Sequence, residues 1–328
     1  MKSGRRSFFC AIAAAAMITL APRAIAGTAP PGAADATSTA CLTRLNYYRL
    51  LAGLNPIKED ASLSRGDLDH ARYLVKRIES DASAAFDAHG EDVAYPWATP
   101  SGARAAAHCT VALRSNMDQS AGLATQASRI VDDWMTEPFQ RLHLLDPSLS
   151  HVGVGIYAEK AFLGVALQVS ASDPDNDEIS SEAEYISARR AAPPAGKYPI
   201  MFPPPNSQIS LNVYEGGEWP EPLAAFPDYR LPSGLPITLE LGPDAQTNPI
   251  TDHQVIADGR SIEHQIFDAT SYAGASPDQT GDGRAILKAF GAIVLVPKHR
   301  LLSKANYAVS VTAGGKQYRW SFTTYPAE

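Results

Sequence analysis

Val152-Gly153-Val154-Gly155-Ile156-Tyr157, followed by Phe162-Leu163-Gly164-Val165-Ala166-Leu167-Gln168-Val169, decides the reading of the first half of the chain. Two apolar runs around turn residues at Glu159-Lys160 predict a β-hairpin. The residues ahead of it repeat with a helical period instead. Leu42, Leu45, Arg49 and Ala52 follow the capping candidates Ser38 and Thr39, and Gly53 with Pro56 ends that run. A second helix, starting near Ser62, carries Leu63, Gly66, His70 and Leu74 along one face, so His70 projects among apolar neighbours. Asn116 to Trp134 predicts a third helix, with Leu123, Ala127, Ile130 and Trp134 in register, and Pro138 stops it at Glu137. Helices ahead of paired strands make this half α+β.

The second half changes character. Acids cluster from Asp173 to Glu178, and 11 of the 25 prolines fall between Pro193 and Pro236. That shift places a linker over 171–197. Beyond it, Ile209–Val213, Ile237–Leu241, Ile262–Ile266, Ala292–Val296, Tyr307–Val311 and Tyr318–Phe322 are short β-like runs between turn residues. They predict an all-β sandwich over 198–328. Asp278-Gln279-Thr280-Gly281-Asp282-Gly283 has the opening of a calcium loop, but Ala289 stands where the bidentate Glu belongs, so the stretch reads as a polar turn.

Charge and targeting narrow the function classes. The 328 residues carry a formal charge of −7, so no basic field exists to hold a nucleic-acid backbone. Residues 1–26 read as a signal peptide: Lys2, Arg5 and Arg6, an apolar run from Phe8 to Leu20, then Ala24-Ile25-Ala26 before the cut. Arg5-Arg6 also fits a twin-arginine leader. Its removal leaves 24 basic against 35 acidic residues, a net charge of −11. The expected mature chain is secreted or periplasmic, has a flexible lead-in over 27–37, and has no later run long enough to span a bilayer. Cys41 and Cys109 are then the only cysteines. In an oxidising compartment they predict a disulfide, the alternative being two separate buried thiols.

Asn46-Tyr47-Tyr48-Arg49, Ala52-Gly53-Leu54-Asn55-Pro56-Ile57 and Asp69-His70-Ala71-Arg72-Tyr73-Leu74 resemble the opening of the CAP superfamily of cysteine-rich secretory, antigen 5 and pathogenesis-related proteins. Trp134-Met135-Thr136-Glu137-Pro138-Phe139-Gln140-Arg141, Leu145-Asp146-Pro147 and Val152-Gly153-Val154-Gly155 resemble its closing segment. The likeness covers about 38–170, is closest to bacterial secreted members, and implies the family's α-β-α sandwich. The ending, from Val296-Pro297 to Trp320-Ser321-Phe322-Thr323-Thr324, resembles bacterial Ig-like domains.

The family resemblance also implies a cleft of two histidines and two acids, able in several members to hold a divalent cation. Position by position, His70 matches the first histidine and Glu137 the second acid. The family's Gly-Glu-Asn falls on Arg114-Ser115-Asn116, so Ser115 replaces the first acid. Gln140, before Arg141, replaces the second histidine. Half the set is lost, and a zinc ion wants three or four strong ligands. His89 and Glu91 supply further ligands only if their loop folds over the cleft. The expectation is therefore no metal and no cofactor. The implied function is a non-catalytic binding module for a small ligand, lipid or envelope component. The alternative is a hydrolase using His70 and Glu137 for acid–base work, with or without a metal.

Overall fold

The computed structural model describes residues 31–81, 87–115, 117–118, 120–169, 198–243, 245 and 249–326. The expected leader, the linker over 171–197 and Asn116 lie outside them. The chain divides into two compact units. One takes the described residues of Met1–Leu45, Ile57–Val131 and Ser150–Ser180, the other Asn46–Pro56, Asp132–Leu149 and Ser181–Glu328.

In chain order the elements are α1 (Pro31–Leu51), β1 (Lys58–Glu59), α2 (Ala61–Ser80), α3 (Pro100–Ala106), β2 (Cys109–Arg114), α4 (Leu123–Thr136), α5 (Pro138–Leu144), β3 (His151–Glu159) and β4 (Phe162–Gln168). There follow β5 (Ile200–Phe202), β6 (Ser207–Ile209), β7 (Val213–Tyr214), β8 (Ser233–Gly234), β9 (Ile237–Glu240), β10 (Ile250–Ala257), β11 (Arg260–Ser261), β12 (His264–Asp268), α6 (Pro277–Phe290), β13 (Ala292–Pro297), β14 (Asn306–Ala313) and β15 (Lys316–Thr324). Helices and sheets together make the α+β class expected. Helix α1 begins at Pro31, so part of the expected flexible lead-in is helical. Helix α4 begins at Leu123, later than the expected start near Asn116 and at the first residue of its apolar period.

The first unit is built on a sheet of order β1-β3-β4-β2. The β3–β4 hairpin pairs Gly155 with Ala166 and Tyr157 with Gly164. Helix α2 starts at Asp60, whose side chain accepts the Ser62 amide at 2.8 Å. It lies on the small-residue face of that hairpin: a Cβ on Gly155 would sit 2.0 Å from the Asp67 carbonyl carbon, and one on Gly164 2.6 Å from the Ala71 carbonyl oxygen. Alternation along a strand puts Leu163, Val165 and Leu167 on the opposite face, where they are buried in turn. The close approach leaves Asp67 fully buried. Burial pushes its carboxyl well above the ordinary range, and the Gln168 amide pulls the other way without closing a hydrogen bond.

The two cysteines correct the disulfide expectation, since both are free thiols. Cys109 packs with Ala71 and Ala166, and its Sγ reaches the Ala106 carbonyl at 3.8 Å. Cys41 is wholly buried in α1, and burial pushes its thiol up to about 12. Each is held as a small apolar side chain.

The second unit contains a five-stranded sheet, β11-β10-β14-β15-β6, and a four-stranded sheet, β12-β13-β9-β5. They form a β-sandwich, with Trp320 and Phe322 among its buried residues. Tyr307 stacks on Phe322 at 5.0 Å, and the Trp320 indole N–H donates to the Pro203 carbonyl at 3.1 Å. The sandwich is not all β. Asp278 to Gly283, expected as a polar turn, opens α6. Ser276 caps it, Pro277 occupies its first position, and Gly291 ends it in the left-handed conformation, φ 56°. Ile286, Leu287 and Phe290 bury one face, and that burial outweighs the two internal glycines.

Segments from early in the chain complete this unit. Phe139 of α5 meets the Tyr272 ring edge-on at 5.3 Å, and His143 meets Phe290 at 5.2 Å. Fully buried Arg49 donates to the carbonyls of Leu144 (2.7 Å), Asp146 (3.0 Å), Leu149 (3.1 Å) and Asn55 (3.0 Å). The Leu144 carbonyl is one that the end of α5 leaves without a helical partner. Arg141 donates to Met135 at 2.6 Å and to Pro236 at 2.8 Å, and lies over the Phe202 ring. Burial lowers the Arg141 guanidinium to about 9 and Arg49 to about 10, while buried Glu240 on β9 opposes both shifts.

Gly155→Ala is expected to destabilise the chain by about 3 kcal/mol, because the new methyl meets α2 backbone instead of a movable side chain. Urea unfolding measures it, with Gly122→Ala, where the added Cβ meets nothing within 4 Å, as the control.

Candidate functional site

His70 lies on the buried face of α2, with its side chain fully enclosed. Its Nδ1 is 3.0 Å from Glu91 Oε1, and its Nε2 is 2.9 Å from the Ala88 carbonyl. Both nitrogens therefore face acceptors. The ring donates at both positions, or Glu91 brings the proton to Nδ1. Glu91 Oε2 accepts the Thr99 amide at 2.7 Å, one residue ahead of α3. The Tyr73 hydroxyl, one turn along α2, accepts the Asp92 amide at 2.9 Å. His70 and Tyr73 thus tie the loop that follows α2 back onto that helix.

Glu91 reaches His70 from that loop. His89 is exposed, and its backbone amide donates to Asp87. Ser115 follows the end of β2 and is exposed. His70 and Glu91 are the pair that this unit brings together.

In the second unit Glu137 is the N-cap of α5, yet its side chain makes no capping bond. Another carboxylate takes that place: the Gln140 amide donates to Glu218 Oε1 at 2.7 Å. Glu218 is nearly fully buried, and its Oε2 has no hydrogen-bond partner among the described residues. Burial, then the charge of Glu137, push the Glu218 carboxyl well above its ordinary range, while the Gln140 amide and Arg141 oppose the shift. Glu221 is raised too, mainly by burial, and it accepts the Tyr214 hydroxyl and the Leu223 amide. Burial and then Glu218 push the Tyr214 phenol upward. The arrangement places two carboxyls with raised pKa beside a helix start. Sequence reasoning missed Glu218 and Glu221, which lie in a proline-rich stretch with no period to mark them.

Among the described residues no group of three or more His, Cys, Asp or Glu side chains is placed to hold a metal ion, and no helix is long and apolar enough to cross a membrane. Helices α2 and α3 with the β1-β3-β4-β2 sheet give the first unit both helices and strands. Residues 42–167 match the family model described as CAP, the cysteine-rich secretory protein family. No curated protein matches the chain.

Glu218→Gln tests the raised Glu218 carboxyl. A carboxyl raised in the folded state adds stability below its unfolded value and loses it as pH rises through the folded value. The variant is therefore expected to match the parent near pH 4 and to be more stable above neutrality, where the parent must bury a charge. Urea midpoints from pH 4 to pH 9 decide it, and an offset that does not vary with pH contradicts the assignment.

Proposed function

We propose that this is an exported, non-catalytic interaction protein, secreted or periplasmic, whose CAP domain is the binding module and whose β-sandwich is an Ig-like spacer or docking module. The observation that carries the reading is the full engagement of His70. A metal ligand needs a free nitrogen lone pair, and a general base needs one facing substrate. Both His70 nitrogens are spent on Glu91 and Ala88 inside the protein. Ser115 and Gln140, at the remaining positions of the family set, have no ionisable group. A cleft degenerate in this way recognises a ligand by shape and hydrogen bonding. Its ligand class is a small molecule, lipid or envelope component.

His70 then matters as an anchor for the 87–99 loop. His70→Ala leaves buried Glu91 without one of its donors and is expected to cost about 3 kcal/mol in urea unfolding. Hydrolysis of chromogenic ester, peptide and glycoside substrates by the parent is expected to stay at the buffer rate. Lipid vesicles and isolated cell-wall material serve as the two binding probes. Substrate turnover that disappears in Glu91→Gln at an unchanged urea midpoint would support the hydrolase instead.

A further inference from the structure

His253 and His264 stand apart from the residues discussed so far. His253 lies on β10 of the five-stranded sheet and His264 on β12, the edge strand of the four-stranded sheet. The short β10–β11 hairpin and the crossover after it bring the rings together. His253 Nδ1 is 2.9 Å from His264 Nε2, with the rings nearly perpendicular at 81°. Both side chains are half-buried, so ions in solvent reach them.

The hydrogen bonds fix the tautomers. His264 Nδ1 is 2.9 Å from the Ile262 carbonyl, so it carries the proton and donates. Nε2 is left with its lone pair toward His253, whose Nδ1–H donates to it. A histidine whose second nitrogen donates to a backbone carbonyl has the outer support that metal-ligating histidines use.

We propose that His253 and His264 form a binding site for a divalent transition-metal ion that prefers two nitrogens at right angles, Ni²⁺ or Cu²⁺. With metal–nitrogen bonds of about 2.0–2.1 Å, cis nitrogens lie about 2.9 Å apart and tetrahedral ones about 3.3 Å. The observed 2.9 Å is the length of the N–H···N hydrogen bond between the rings and also equals the cis spacing, so a rotation of each ring turns both nitrogens toward one ion. On binding, the ion replaces the shared proton, which moves from Nδ1 to Nε2 of His253, so both rings stay neutral and no proton is released. Glu263 is engaged with Lys298 at 2.6 Å. Strand alternation turns Asp252 and Gln254 to the other face of β10, where Gln254 lines a groove with Ser310 and Arg319. Water therefore fills the other coordination positions. The bound ion joins a strand of one sheet to the edge of the other.

Calorimetric titration of the full chain with Ni²⁺ at pH 7.5 tests the site. The expected result is one saturable site, at least tenfold weaker in both His264→Ala and His253→Ala, and unchanged in His299→Ala. The Cu²⁺ complex is expected to show two nitrogen ligands by electron paramagnetic resonance. Should an alanine variant unfold, His253→Gln keeps a hydrogen-bonding side chain while removing the nitrogen ligand. No saturable Ni²⁺ binding up to about 1 mM, or binding that survives in both variants, overturns the proposal.

Discussion

Two buried arginines hold the second unit together. Arg49 and Arg141 come from early in the chain, and between them they donate to six backbone carbonyls spread from Asn55 to Pro236. A guanidinium loses much hydration on burial, so each position depends on those acceptors and on the carboxylates nearby. Glu240 supports both cations. Removing one charge from such a group typically costs 3–5 kcal/mol, because it leaves its partner buried alone. The segments Asn46–Pro56 and Asp132–Leu149 therefore belong to the β-sandwich unit, although they lie within the 42–167 span of the family match.

That constraint explains the treatment of α5. A seven-residue helix has little stability of its own. Here Glu218 accepts an amide at its start, Arg49 satisfies the Leu144 carbonyl at its end, and Phe139 packs against Tyr272. Helix α2 is placed by another constraint, the absence of side chains on Gly153, Gly155 and Gly164. The same closeness buries Asp67 and fixes His70 where its ring anchors a loop.

Local signals in the sequence were readable. The hairpin from Val152 to Val169, the stop at Glu137-Pro138 and the strands around Leu239, Val294 and Val309 follow from period and turn residues. Helix α6 was obscured because Gly281 and Gly283 read as a turn, while its apolar face at Ile286, Leu287 and Phe290 comes late in the segment. The environment of His70 was only half legible: its apolar face was plain, but Glu91 lies 21 residues away across a loop. Arg49 and Arg141 carried no charge pattern, since their partners are backbone carbonyls. Cys41 and Cys109 looked like a pair only because compartment and number suggested one.

The dependence on the early segments is tested most directly by expressing residues 198–328 alone and following urea unfolding by circular dichroism. That fragment lacks Arg49, Arg141 and Phe139, and it leaves Glu240 with neither cation. The predicted result is no cooperative transition, with folding regained when 46–56 and 132–149 are present in the full chain. A fragment that unfolds cooperatively at the full chain's midpoint would contradict the central role given to the two arginines.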